Sequence, residues 1–181
     1  MKFNFQIFIG MFVLMFSLIS CVEPTARRPV SHHSASYIKE SVKLNKNINA
    51  AEEKAILYYI AQDSLKKYTS SKNGFWYASI NQVVGESKKP VVGDNVLFEY
   101  EILDLNNRLI YSKEEIGQVS YIIDKENLTT GLQEGLKLMH EGEEMRFLFP
   151  SFKAFGFTGD QERIGIKQPL VYSVKLISIN Q

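Results

Sequence analysis

The sequence predicts an α+β fold: a curved antiparallel β-sheet wrapped on one short α-helix, preceded by a separate N-terminal helix. Three observations carry this. From Gly74 onward apolar residues recur at every second position, in Val96, Phe98, Tyr100 and Ile102, in Met145, Phe147 and Phe149, and in Leu170, Tyr172, Val174 and Leu176. That is the period of strands that bury one face. One short stretch breaks it with a helical period, in which Leu132, Leu136 and Met139 share a face. Upstream, Leu57, Ala61, Leu65 and Tyr68 step by threes and fours, the stripe of an amphipathic helix. Strands that follow one another without alternating helices belong to an α+β layout.

Each element has its own local signals. Over 49–68, Asn49 stands at a capping position with Glu52 three residues on. Ser70-Ser71-Lys72-Asn73-Gly74 ends that helix. The stripe is expected to pack on its own domain, with a partner helix or a second copy as the alternative. Phe75–Ile80 is the first strand, and Trp76 is assigned to core packing. Pro90, Gly93 and Asp94 make a turn into the strand of Val96–Ile102, and Asn106-Asn107 turns the chain into Arg108–Ser112. Val119–Ile123 is a further strand. Thr130 caps the short helix, with Gln133 three residues on, and Gly142 closes it. Gly74 and Gly93 need only be turn residues. Residues 74–179 are expected to enclose their own core and to fold without what precedes them.

Composition narrows the chemistry. The chain has 181 residues, with Lys plus Arg 21 and Asp plus Glu 20, a net charge of +1. No global field gathers nucleic acid or an anionic surface. One cysteine and three histidines exclude a disulfide framework and make a cysteine- or histidine-built metal centre improbable. Neither a cofactor nor a metal is expected. His32-His33 is not a metal site, and His140, near a helix C-terminus, suits the dipole there rather than proton transfer.

The first 20 residues carry one charge, Lys2, and an apolar run from Ile7 to Ile19, the pattern of an export signal. The run ends in Leu18-Ile19-Ser20-Cys21, which resembles the lipobox of bacterial lipoproteins. The resemblance implies cleavage before Cys21 and lipidation of its thiol. An uncleaved membrane anchor is the alternative, since about 20 apolar residues span a bilayer. The expected organisation is a signal peptide at 1–20, a lipidated flexible tether at 21–48, an N-terminal helix at 49–73 and a domain at 74–181. Over 22–48 five basic residues stand against two acidic ones, a net +3; solvation is the expected role, lipid-headgroup contact the alternative. Val22 is not the aspartate that retains some lipoproteins in an inner membrane, which points to the outer membrane, facing the periplasm.

Gly131-Leu132-Gln133-Glu134-Gly135-Leu136 with Glu141-Gly142, Phe149-Pro150 with Ala154-Phe155-Gly156, Pro169–Leu176, and Val92-Gly93-Asp94 with Val96–Tyr100 resemble, in order and spacing, the motifs of FKBP-type peptidyl-prolyl cis-trans isomerases. The lipobox, the N-terminal helix and Gly74-Phe75-Trp76-Tyr77 further resemble the gliding motility-associated isomerase lipoproteins of gliding bacteria. The resemblance implies that Tyr100, Leu132, Phe155 and Tyr172 carry catalysis. Tyr100 and Tyr172 would be aromatic walls, Leu132 the floor in place of the usual tryptophan, and Phe155 stands where a tyrosine hydroxyl is usual. It likewise implies that Ile110, Tyr111, Val119, Leu128, Thr129 and Ile164 bind substrate. There the Thr129 backbone amide would grip a carbonyl, Tyr111 replaces an aspartate that pairs with the first wall tyrosine, and Ile110 and Val119 replace larger aromatics. By pattern alone, most of these positions read as ordinary core.

Isomerisation suits a chain with no triad, metal cluster or phosphate loop. The X–Pro amide resists rotation by about 18–20 kcal/mol because of its conjugation. An apolar pocket favours the twisted amide, which has lost much of that dipole. The expected partners are proline-containing segments of envelope or motility proteins, and the membrane through the lipid; no nucleic acid is expected. A binding module that keeps the fold, and a structural lipoprotein that docks through helix 49–68, are the competing readings.

Overall fold

The computed structural model describes residues 34–64, 66–81 and 88–180. The expected signal peptide at 1–20, Cys21 and residues 22–33 of the expected tether lie outside the described residues. The chain divides into two units, residues 1–39 and 40–181. Of the first, only the opening of a helix is described, with Tyr37 and Ile38 exposed. Among the described residues no helix is long and apolar enough to cross a membrane.

Helix α1 runs Ser34–Gln62. It therefore starts well before the expected Asn49 and ends before Tyr68. Residues 34–48 were expected in the tether because they are polar. They contain no Pro or Gly, however, and lysine and glutamate propagate a helix well. Within 40–62 the buried side chains are Glu52, Ile56 and Tyr59, while Leu57 and Ala61 of the expected stripe are exposed. Ile56 through Ile60 is a continuous apolar run. Periodicity alone does not choose a face in such a run; the surface that receives it does.

That surface is the outer face of a seven-stranded sheet. The strands are β1 Thr69–Ser70, β2 Trp76–Asn81, β3 Asn95–Leu103, β4 Leu109–Tyr111, β5 Val119–Ile122, β6 Glu144–Phe149 and β7 Leu170–Asn180. Their order is β1-β2-β6-β7-β3-β4, with β5 also on β3, and every pairing is antiparallel. The inner face presents Phe98, Phe147, Phe149, Tyr172, Val174 and Leu176 to the main core. The outer face presents Leu148 and Val171 to Ile56 and Tyr59 of α1, with Trp76 half-buried beside them. Trp76 thus packs on the outer face rather than in the main core.

Three short helices complete the fold: α2 Lys113–Ile116, α3 Thr130–Leu136 and a 3-10 turn at Ser151–Lys153. The cap of α3 is Thr129, one residue before the expected Thr130, and its hydroxyl makes no capping bond. Gly142 lies in the turn beyond, where its N–H donates to the Leu176 carbonyl at 2.8 Å. Helix α3 lies close on the sheet because Gly131 and Gly135 have no side chain there. A Cβ at Gly131 would stand 2.7 Å from the Phe149 ring and 2.8 Å from the Lys153 carbonyl. The Phe147 and Phe149 rings below it are stacked, 5.5 Å between centroids.

Candidate active site

Strand β3 is shared on one edge by two partners. β5 pairs with Asn95–Phe98 and β4 with Ile102–Leu103. Tyr100 lies between them, where neither strand is in register. On the other edge Tyr100 faces Val174 and Ile102 faces Tyr172. The Tyr100 and Tyr172 rings are therefore diagonal neighbours, stacked 5.6 Å apart at 9°, and Phe149 meets Tyr172 edge-on at 5.2 Å. Such pairs hold aromatic walls in defined orientations.

Nine of the ten residues singled out in the sequence belong to the inner core or pack against it, and the tenth, Thr129, neighbours the Tyr172 hydroxyl. Leu132, Ile164 and Tyr172 are buried within the core. Tyr100, Ile110, Tyr111, Val119, Leu128 and Phe155 are half-buried against it. Thr129 leads into α3 just before Leu132. Among the described residues nothing accepts from the Thr129 backbone N–H. Its side-chain oxygen is buried without a hydrogen bond of ordinary geometry, the Tyr172 hydroxyl being its polar neighbour. Burial, with the nearby Tyr100 adding to it, pushes the Tyr172 hydroxyl far above its ordinary pKa; burial alone raises Tyr100. Both phenols stay neutral, and the site is an apolar aromatic surface with a backbone donor at its edge. Among the described residues no group of three His, Cys, Asp or Glu converges to hold a metal.

Tyr111 does not engage Tyr100. Its hydroxyl donates to Asp160 Oδ2, and that bond, followed by partial burial, pushes the phenol up to about 12. The other Asp160 oxygen accepts the backbone N–H groups of Glu162, Arg163 and Ile164 at 2.9, 3.0 and 2.8 Å. Desolvation pushes the Asp160 carboxyl up, but the bonds from Tyr111 and these amides outweigh it and leave it below its usual range. Arg163 lies over the Tyr111 ring at 4.7 Å, donates to the Ile110 carbonyl at 3.0 Å, and pairs with Glu115 at 2.6 Å. The turn that presents Ile164 is thereby pinned to β4 and α2. This network escaped the sequence reading. Its one signal was the polar run Asp160-Gln161-Glu162-Arg163 between two apolar site positions, where an Asp can bond the amides that follow it. His140 stands apart from the site: its ring Nδ1 lies 3.2 Å from Glu143 Oε2.

The model of the FKBP-type peptidyl-prolyl cis-trans isomerase family matches residues 86–177, just over half of the chain. The chain belongs to that family. It is 32% identical over 120 residues to a probable FKBP-type peptidyl-prolyl cis-trans isomerase, FkpA, of Neisseria meningitidis serogroup B, a match over 66% of this chain and 42% of that protein. The chain thus spans less than half the length of that curated relative. Among solved structures it is similar to FkpA from Escherichia coli, with a TM-score of 0.60 at 19% identity over 98% of this chain and 82% of that one. It is also similar to a peptidyl-prolyl cis-trans isomerase from Pseudomonas syringae pv. tomato, with a TM-score of 0.59 at 20% identity over 75% and 96%. At those identities the structural likenesses speak for the fold.

Proposed function

We propose that the protein catalyses cis–trans isomerisation of X–Pro bonds in extended polypeptide segments, tethered to the cell envelope through a lipid on Cys21. The observation that supports it best is the stacked Tyr100–Tyr172 wall in one core with Leu132, with the Thr129 N–H, which has no acceptor among the described residues, close by. A proline ring against those apolar faces is out of water, and the N–H holds a neighbouring carbonyl while the imide turns. The twisted imide, having lost conjugation and much of its dipole, gives up less hydration in apolar surroundings than the planar one does. No covalent step is needed. The roles given to Phe155, Ile110, Tyr111, Val119, Leu128 and Ile164 rest on the family resemblance, and their packing in or against the same core supports them.

The envelope part rests on the sequence. Leu18–Cys21 supports lipidation, Val22 supports an outer-membrane anchor facing the periplasm, and the resemblance to gliding motility-associated lipoproteins supports motility proteins among the clients. One observation favours a second reading, a binding module with little turnover: Phe155 offers no hydroxyl to the substrate.

The test is refolding of a proline-limited protein, or turnover of a chromogenic proline peptide, with the purified chain. Acceleration by the wild type, reduced in a Tyr172→Leu variant whose circular dichroism is unchanged, is expected. No acceleration with any residue before the proline rejects the enzyme and leaves the binding module. For the anchor, cells are fed an alkyne fatty acid: the wild-type chain is expected to be labelled, and undiminished labelling of a Cys21→Ser variant refutes it.

A further inference from the structure

Glu52 of α1 is 6% exposed. A carboxylate so buried is costly unless its oxygens are hydrogen-bonded. Both are, and by one residue: Oε2 accepts the Ser151 backbone N–H and Oε1 accepts the Ser151 hydroxyl, each at 2.7 Å. Ser151 is also the hub of the segment that follows β6. Its carbonyl accepts the N–H groups of Ala154 and Gly156 at 2.9 and 2.8 Å, the two residues that flank Phe155. The Gly156 carbonyl in turn accepts from Lys167 at 2.8 Å, which ties the same segment to the far end of the turn carrying Ile164. On its other side the segment is held to α3 by the Lys153–Glu134 ion pair at 2.8 Å. Among the described residues, the grip on Ser151 from the outer layer of the fold is Glu52.

The geometry points to Glu52 as a positioning residue for the isomerase site, so that α1, from the opposite face of the sheet, helps to set where Phe155 stands. This rests on the isomerase reading of the inner face. Glu52 touches no substrate; it acts through Ser151. The packing around it, Ile56 and Tyr59 on Leu148 and Val171, is plain apolar cover. Glu52 is the polar link from that cover to the loop.

The experiment compares three variants of the whole chain: Glu52→Gln, Ser151→Ala and Ile56→Val. Glu52→Gln keeps the shape: its carbonyl can still accept the Ser151 N–H, but its N–H₂ meets the Ser151 hydroxyl, which must turn from donor to acceptor, and the charge on both bonds is lost. The first readout is the backbone amide spectrum. Shifts at Ala154, Phe155 and Gly156 in Glu52→Gln and in Ser151→Ala, and none there in Ile56→Val, are expected. The second is kcat/KM on a proline peptide well below the melting temperature. A fall of about three- to tenfold is expected for Glu52→Gln, the effect of exchanging charge-assisted bonds for neutral ones at the hub of the loop. Glu52→Gln and Ser151→Ala together should cost no more than the larger of the two. Ile56→Val, which loses only apolar cover, should lower the melting temperature and leave kcat/KM unchanged. Unchanged amides at 154–156 in the folded variants overturn the proposal, and so does an equal loss of rate in Ile56→Val. If Glu52→Gln does not fold, Ser151→Ala carries the same two readouts. If the wild type shows no isomerase activity, the amide shifts decide the coupling of α1 to the loop separately from the enzyme reading.

Discussion

Phe155 puts a ring, without a hydroxyl, half-buried against the main core, on a segment held from both sides through the Ser151 and Gly156 carbonyls. A hydroxyl added there would meet a pre-positioned substrate. Phe155→Tyr is expected to raise the isomerisation rate by up to about tenfold, the worth of one hydrogen bond made in the transition state. Peptide turnover by the two forms checks this, and an unchanged rate would mean that the side chain points away from the proline. Residue by residue, the site was legible to different depths. Alternation marks most of the apolar positions as inward-facing, Tyr100 and Tyr172 among them; that they line a site came from the family resemblance alone. The polar partners were not legible, since Tyr111–Asp160 and Glu52–Ser151 join residues 49 and 99 positions apart. No local period records a bond of that range. Tyr111 illustrates the limit: it was read against an absent aspartate on its own strand, whereas the acid comes from the opposing turn.

Helix α1 is the element on which pattern and packing diverge most. A stripe of Leu57, Ala61, Leu65 and Tyr68 is a fair helical face, yet the receiving surface takes Ile56 and Tyr59. The strands held a clue. Phe147-Leu148-Phe149 and Leu170-Val171-Tyr172 are apolar at every position, not at alternate ones, which is how strands read when both faces are covered. Something had to lie over Leu148 and Val171, and α1 was the element left to do it. The main core does lie wholly within residues 75–179, but α1 adds a second, outer cluster on Leu148 and Val171. Leu148 and Val171 are both 0% exposed, and they return to water when α1 is removed. At about 1.5–3 kcal/mol for each such side chain, a polypeptide beginning at Gly74 is expected to be less stable by roughly 3–6 kcal/mol, an upper figure because the uncovered side chains can partly repack. Urea melts of that chain and of one beginning at Ser34 measure the difference. Coincident melts would reduce α1 to a loosely laid strap.

For the molecule as a whole, the class of fold and the count of long strands were readable because a sheet that buries its inner face must alternate. The short elements β1 and α2 were not, since two to four residues carry no period. The order of the strands in space has a further consequence for how the chain acquires its shape. β7 lies in the middle of the sheet, between β6 and β3, and it is the last of the seven strands in sequence. A chain made from its N-terminus thus holds β1 to β6 as two separate edges, with nothing to join them, until residues 170–180 emerge. Each half waits with Phe98 or Phe147 uncovered. Closure then requires a pairing of β7 with β3 across some 75 positions, the kind of distant contact that slows folding and lengthens exposure to aggregation. By this topology the assembled sheet belongs to the completed polypeptide and not to the growing one. A lesion anywhere in β7 would be felt as failure to close, long before it was felt as loss of any single contact.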